Sequence, residues 1–325
     1  MAYRFLVTTS ALGQGGVTLL AEAGCQVDYL DNPNDAQEVE QRMANVPYDA
    51  VISRTVNLTA KAINACASLK VICKHGVGVT NIDVAAASER GIPVLTTPAT
   101  NAQSVAELTL ALMLNAARRL PYFQHEVNAG RWTRSGDGEE LHGKTLGLAG
   151  FGEIGRRVAR AAQALGMQVA FFDPGVKAEN GATNVTQCAT LDQLLACSDV
   201  LSLHCPVNDK TRNMINAQTL ARLPHGAILI NTARGELVDE VALCEALKKG
   251  QLRAAALDTV ASEPLAADHP FRELPQLIIT PHIGGSTPQA LDAVAYSAAH
   301  QCLAWLDAQQ INAAACVNPQ VLNKE

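Results

Sequence analysis

The 325-residue chain has no C-x-x-C pair, no run of Lys or Arg longer than two, and no apolar stretch of the roughly 20 residues that a membrane-spanning helix needs. The nine cysteines are an odd and scattered set, which argues against both a zinc site and a disulfide framework. Reduced thiols in a cytoplasmic setting are expected, each packing as a small apolar residue. With a formal net charge of -6 and no basic run, the chain leaves no footprint for nucleic acid. Its longest apolar helix pattern, LTLALMLNAA at 108–117, is flanked by Glu107 and by Arg118 and Arg119 and reads as a buried helix. The opening MAYRFLVTTS holds too short an apolar run for a signal-peptide core and reads as a first strand. His125, His142, His225, His269 and His300 show no ligand spacing, so no metal is expected.

What remains is an ordinary globular balance, 48% hydrophobic and 17% charged, in a chain long enough for two domains. The first part alternates short apolar runs at 4–8, 26–30, 50–53, 71–73 and 93–95 with helical patterns at 16–23, 36–43, 59–67 and 83–90. Alternation of this kind implies a parallel sheet covered by helices. A long helix is expected from Asn101, with Pro121 starting or kinking a second piece that Gly130 terminates. Strand patterns then resume at 145–149, 168–172, 200–204, 227–231, 255–257 and 277–279. Two α/β units follow.

Within LAGFGEIGRRV, Gly150, Gly152 and Gly155 are spaced G-x-G-x-x-G. With 23 glycines in 325 residues, chance places such a triplet about 0.1 times per chain, so context has to decide. The triplet follows an apolar strand and opens a helix through Glu153 and Ile154, and the next strand, QVAFFD, ends in Asp173. Gly150 suits a tight turn, Gly152 lets backbone approach a pyrophosphate, Gly155 lets helix pack on strand, and the helix N-terminus supplies donors for the anion. Asp173 would accept from ribose hydroxyls and repel a 2′-phosphate, which favours NAD over NADP.

Three later stretches, ILINTARGELVDE (228–240), AALDTVASEPL (255–265) and ITPHIGGST (279–287), each place an ionisable residue just beyond an apolar strand, where open α/β sheets put ligands. Arg234 is a permanent cation able to hold a carboxylate at two points, although taken alone it reads equally as a surface ion pair. Glu263 precedes Pro264 and His282 follows Pro281, so both backbones are locally restricted.

Together with KHGVGVTNID and SVAELTLALML upstream, these segments resemble the D-isomer-specific 2-hydroxyacid dehydrogenase family over nearly the whole chain. The resemblance implies a nicotinamide-binding Rossmann domain, 99–287, inserted into a flavodoxin-like substrate domain formed by 1–98 and 288–325, with hinges near 98–101 and 285–288. It implies hydride transfer between NAD(H) and C2 of a small 2-hydroxy or 2-oxo acid. His282 would be the general acid and base, with Glu263 orienting it and Arg234 binding the carboxylate. Asp258 would hold the nicotinamide amide, and His204, Pro206, Thr232, Ala233 and Gly284 would complete the cofactor site.

By the same resemblance the Val77 and Gly78 backbone would offer N–H groups to the substrate carboxylate. Arg54, with Arg134 from a neighbouring subunit, would meet an anionic tail. His75 stands where a phosphoglycerate dehydrogenase is expected to carry a further Arg, and a partial imidazole charge near neutral pH would bind a phosphate less strongly. Candidate substrates are 3-phosphoglycerate, glycerate or hydroxypyruvate, and sulfolactate. Glu263 disfavours a formate dehydrogenase, which carries Gln there. The alternative is an NADH-sensing, corepressor-like binding protein of the same fold. A homodimer through residues 101–131 is expected, and the chain ends too soon after the motifs to leave room for a serine-responsive regulatory domain.

Overall fold

A computed structural model describes residues 2–176 and 185–323. The chain divides into two compact units, Met1–Asn101 with Ser286–Glu325, and Ala102–Gly285.

In the first unit, β1 (Arg4–Val7), β2 (Gln26–Tyr29), β3 (Ala50–Ser53), β4 (Val71–Lys74) and β5 (Val94–Leu95) form a parallel sheet in the order β2-β1-β3-β4-β5. This is the flavodoxin-like order, with its switch point between β1 and β3. β1, β3, β4 and β5 are largely buried on both faces and read as apolar runs whose alternate residues serve opposite cores, whereas the edge strand β2 is exposed to half-buried. Val7, Ile52 and Cys73 pack with Ala298 and Cys302 of the helix Pro288–Ala308, while Leu6, Val51 and Ile72 pack with Val39, Met43 and Ile63. Helices α1 (Gln14–Glu22), α2 (Ala36–Asn45), α3 (Ala60–Ala65) and α4 (Val84–Glu89) fill the crossovers. Asp35, Thr59 and Asp83 begin the last three by accepting a first-turn N–H, a cap that contributes about 1 kcal/mol.

The second unit opens with α5 (Ala102–Arg118) and α6 (Leu120–Asn128). It continues through β6 (Thr145–Ala149), α7 (Glu153–Ala164), β7 (Gln168–Phe172), β8 (Val185–Gln187), α8 (Leu191–Cys197), β9 (Val200–Leu203), α9 (Ala217–Leu220), β10 (Ala227–Asn231), α10 (Glu240–Lys248), β11 (Leu252–Leu257) and β12 (Leu277–Ile279). Its parallel sheet has the order β12-β11-β10-β9-β6-β7-β8. The order reverses at β6, so the crevice between the carboxyl ends of β6 and β9 is where such a sheet binds its ligand. Most strands match the sequence pattern. β11 begins three residues earlier than its apolar run suggests, because Arg253 interrupts the pattern while reaching out to Glu139. Among the described residues no helix is long and apolar enough to cross a membrane.

Candidate active site

The glycine loop after β6 is shaped by contact distances. Gly150 has φ +103, and a Cβ there would stand 2.7 Å from the His204 carbonyl group after β9; a Cβ on Gly155 would stand 2.6 Å from the Gly150 oxygen. Both positions are closed by the chain itself. At Gly152, by contrast, a Cβ would meet nothing within 4 Å, and no side chain caps the helix that begins at Glu153 and Ile154. An open face over uncapped helix N–H groups fits a pyrophosphate. Asp173, just past β7, accepts from Phe151 N and Gly175 N at 2.8 Å each, which ties the loop to the neighbouring strand end and leaves lone pairs for hydroxyls.

His204 lies beyond β9 with Nε2 2.9 Å from Ser202 Oγ and a buried, unpartnered Nδ1. Burial pushes its pKa down to about 4, so the ring is neutral. Pro206 is exposed and accepts the Thr211 hydroxyl on its carbonyl. After β10, the buried Thr232 hydroxyl shares a 2.8 Å hydrogen bond with Thr109 Oγ1 of α5, and Ala233 N donates to Asn231 Oδ1 at 3.0 Å.

His282, beyond β12, places Nδ1 2.9 Å from Glu263 Oε2, in the segment after β11; both side chains are partly open to solvent. Glu263 thus engages Nδ1 and not Nε2. The His282 backbone has φ +55. Asp258 anchors the whole loop. The His282 N–H donates to the Asp258 carbonyl at 2.8 Å, while the buried carboxylate accepts Thr280 Oγ1 at 2.5 Å, Ile283 N at 2.9 Å and Gly284 N at 2.8 Å. Arg234 follows β10 in a half-buried turn, with its Nη1 2.6 Å from the Ala233 carbonyl. Residues 150–155, 173, 204, 232–234, 258 and 282 thus all follow carboxyl ends of one sheet.

In the first unit, Arg54, His75, Val77 and Gly78 lie beyond β3 and β4. Arg54 N donates to Thr8 Oγ1 at 2.9 Å and its guanidinium reaches Thr9 Oγ1 at 3.4 Å. Among the described residues, no acceptor takes the N–H of Val77 or Gly78, and Val77 is half exposed. The partial charge expected of His75 is corrected by its surroundings. Burial, then the Arg54 and Lys74 charges, push its pKa down to about 4, so it is neutral near pH 7. The cation of this loop is Lys74, which the sequence pattern did not single out: it ends β4, is buried, and donates to the Arg54 carbonyl and, at 2.5 Å, to Asn81 Oδ1. Arg134 stands elsewhere, exposed on the arm after α6 in a shallow depression with Arg118, Leu120 and Phe123.

Comparison with known proteins identifies the family. Residues 110–284 match the family model of the D-isomer specific 2-hydroxyacid dehydrogenase NAD binding domain. The D-3-phosphoglycerate dehydrogenase of Haemophilus influenzae is 39% identical over 295 residues, covering 89% of this chain and 71% of that protein. The one from Mycobacterium tuberculosis is 37% identical over 311 residues, and this chain spans 58% of its length. Among solved structures, a formate dehydrogenase from Staphylococcus aureus in complex with NAD superposes with a TM-score of 0.84 at 26% identity, over 97% of this chain and 98% of that one. The chain belongs to the D-isomer-specific 2-hydroxyacid dehydrogenase family, and its second unit carries the family's NAD-binding domain.

Proposed function

We propose that this protein is an NAD-dependent dehydrogenase that interconverts a small D-2-hydroxy acid and its 2-oxo acid. The observation that carries this reading is the 2.9 Å contact of His282 Nδ1 with Glu263, at strand ends beside that of Arg234. The glycine loop and α7 N-terminus would hold the pyrophosphate of NAD(H) and Asp173 its ribose, while His204, Pro206, Thr232, Ala233, Asp258 and Gly284 would line the nicotinamide half. When bound, the cofactor supplies or accepts the hydride at C2.

The chain's own residues do the rest. Arg234 holds the carboxylate through its planar fork. Glu263 fixes the ring so that the mobile proton of His282 sits on Nε2, where it is given to the carbonyl oxygen in reduction and taken from the hydroxyl in oxidation. Asp258 keeps that loop in place and retains a lone pair for an amide donor.

The finer reading is a three-carbon acid, either hydroxypyruvate or a relative with an anionic tail such as sulfopyruvate or 3-phosphohydroxypyruvate, the tail being met by Arg54 and by Arg134 from a second copy. Exposed apolar side chains on α5, α6 and the arm that carries Arg134 support a homodimer: Leu114, Leu120, Val127 and, by 83%, Trp132. Nine free thiols favour a cytoplasmic location. The test is NADH oxidation across a panel of glyoxylate, hydroxypyruvate, sulfopyruvate and 3-phosphohydroxypyruvate. Turnover of at least one acid is expected; NADH binding with no turnover across the panel would favour the sensing role instead.

A further inference from the structure

Arg234, Glu263 and His282 follow three different strands, β10, β11 and β12, yet one position closes the Arg234 turn and another seats that turn on the neighbouring segment. Asn231, the last residue of β10, is fully buried. Its Nδ2 donates to the Arg234 carbonyl at 2.7 Å and its Oδ1 accepts from Ala233 N at 3.0 Å, so one side chain closes the turn that presents Arg234. The next residue, Gly235, is buried too, and any Cβ on it would overlap the Val260 carbonyl group and the Ala261 nitrogen. The Arg234 turn therefore rests backbone against backbone on the segment after β11.

That segment is the one that carries Glu263. Val260 N donates to Glu263 Oε1 at 3.3 Å, while the other oxygen, Oε2, holds His282. Ala261 N donates at 2.8 Å to Glu240, the first residue of α10, which ties the same segment to the helix that follows the Arg234 turn. Asn231 and Gly235 both sit one step behind Arg234 and Glu263, the groups proposed to act on the substrate and on His282.

We infer that Asn231 and Gly235 are positioning residues that lock the Arg234 turn to the Glu263–His282 segment, so that carboxylate recognition and proton transfer stay in register as one rigid unit. The inference rests on the roles proposed for Arg234, Glu263 and His282. A displacement of about 1 Å between such groups costs on the order of 10²-fold in rate, so a single methyl at Gly235 is enough to be read.

The test uses the full chain with NADH and whichever 2-oxo acid of the panel the wild type turns over best. Gly235→Ala and Asn231→Ala are each expected to raise KM and to lower kcat by about 10-fold or more. The deuterium isotope effect on kcat, with NADH labelled at the transferred hydrogen, should rise, and NADH affinity should stay within about twofold of wild type. A shift of KM alone would mean that the two segments are not coupled. A lowered Tm with wild-type kcat, KM and isotope effect per NADH-binding site would mean that both residues serve stability only. Either result overturns the inference. If Gly235→Ala does not fold, Asn231→Ala decides by the same readouts. Failure of the underlying reading is separately visible: Arg234→Lys would leave KM unchanged.

Discussion

His282 sits at φ +55, a backbone region that costs a residue other than glycine roughly 1 kcal/mol or more, and it persists there because its surroundings over-determine it. Asp258 supplies most of that determination, with one carbonyl and two carboxylate oxygens on the same loop. His282→Gln is therefore expected to keep the loop and lose only the proton chemistry. Turnover should fall by roughly 10² to 10⁴, with NADH affinity unchanged by fluorescence titration. A parallel loss of NADH affinity would assign His282 to cofactor binding instead. Glu263 and His282 are legible in the sequence through the family resemblance of the LDTVASEP and TPHIGGST segments that carry them; taken alone, neither stands out. The anchoring role of Asp258 is not legible, since it depends on which backbone N–H groups converge on the carboxylate. His75 shows the same limit from the other side: residue type suggests a partial charge, and the neighbouring Arg54 and Lys74 with burial remove it.

Two glycine-rich β–α turns show how little an element's sequence says about its use. Gly13, Gly15 and Gly16 open α1 after β1, but there Asp292 Oδ1 takes the Gly15 N–H at 2.5 Å, and a Cβ on Gly13 or Gly16 would stand 2.8 Å from the backbone of the helix Pro288–Ala308. That turn is packing. The turn at Gly152 is open. Long buried strands such as Ala227–Asn231 were readable from their apolar runs, whereas β8, with two of its three residues exposed, and the four-residue α9 lack the length to show a period. The arm after α6 was legible only as a helix stop, yet it is clamped: buried Glu126 accepts Arg131 Nε at 2.9 Å and Thr133 Oγ1 at 2.7 Å. The Arg131 guanidinium, then the Thr133 hydroxyl, hold the Glu126 carboxyl down at about 2 from an ordinary 4.5. A depressed carboxyl contributes fully above the higher value and loses its contribution as pH falls through the lower one. The clamp should therefore release between about pH 4.5 and 2. The fluorescence of Trp132, read in a Trp305→Phe background, should report a transition in that window that Glu126→Gln lacks. An identical acid transition in the Gln variant would show that the clamp does not hold the arm.

At the scale of the whole molecule, both sheets place their charged and polar groups past carboxyl ends, as parallel strands dictate: Arg54 and Lys74 on one, Asp173, Arg234, Asp258, Glu263 and His282 on the other. The second set is the common requirement of any 2-hydroxy acid, a carboxylate and a carbonyl. Under the proposed function, the first would tell one acid from another. Lys74 spends its charge partly on the Arg54 carbonyl and on Asn81, and His75 is neutral, so Arg54 is the group best able to meet an anionic tail. Attraction between a guanidinium and such a tail is weakened by salt, because the screening length shrinks from about 10 Å at 0.1 M to about 3 Å at 1 M. With hydroxypyruvate as the neutral-tailed reference, kcat/KM for sulfopyruvate and 3-phosphohydroxypyruvate should fall more steeply with added salt. Arg54→Gln should remove that extra slope while leaving hydroxypyruvate and glyoxylate within about threefold of wild type, the loss of one charged hydrogen bond being confined to the tailed acids. His75→Gln should leave the slope as it is, since a neutral ring contributes no charge to screen. Glyoxylate as the best substrate, with equal salt slopes for all four acids, would show that no anionic tail is recognised and that Arg54 serves only to close its own loop against Thr8 and Thr9.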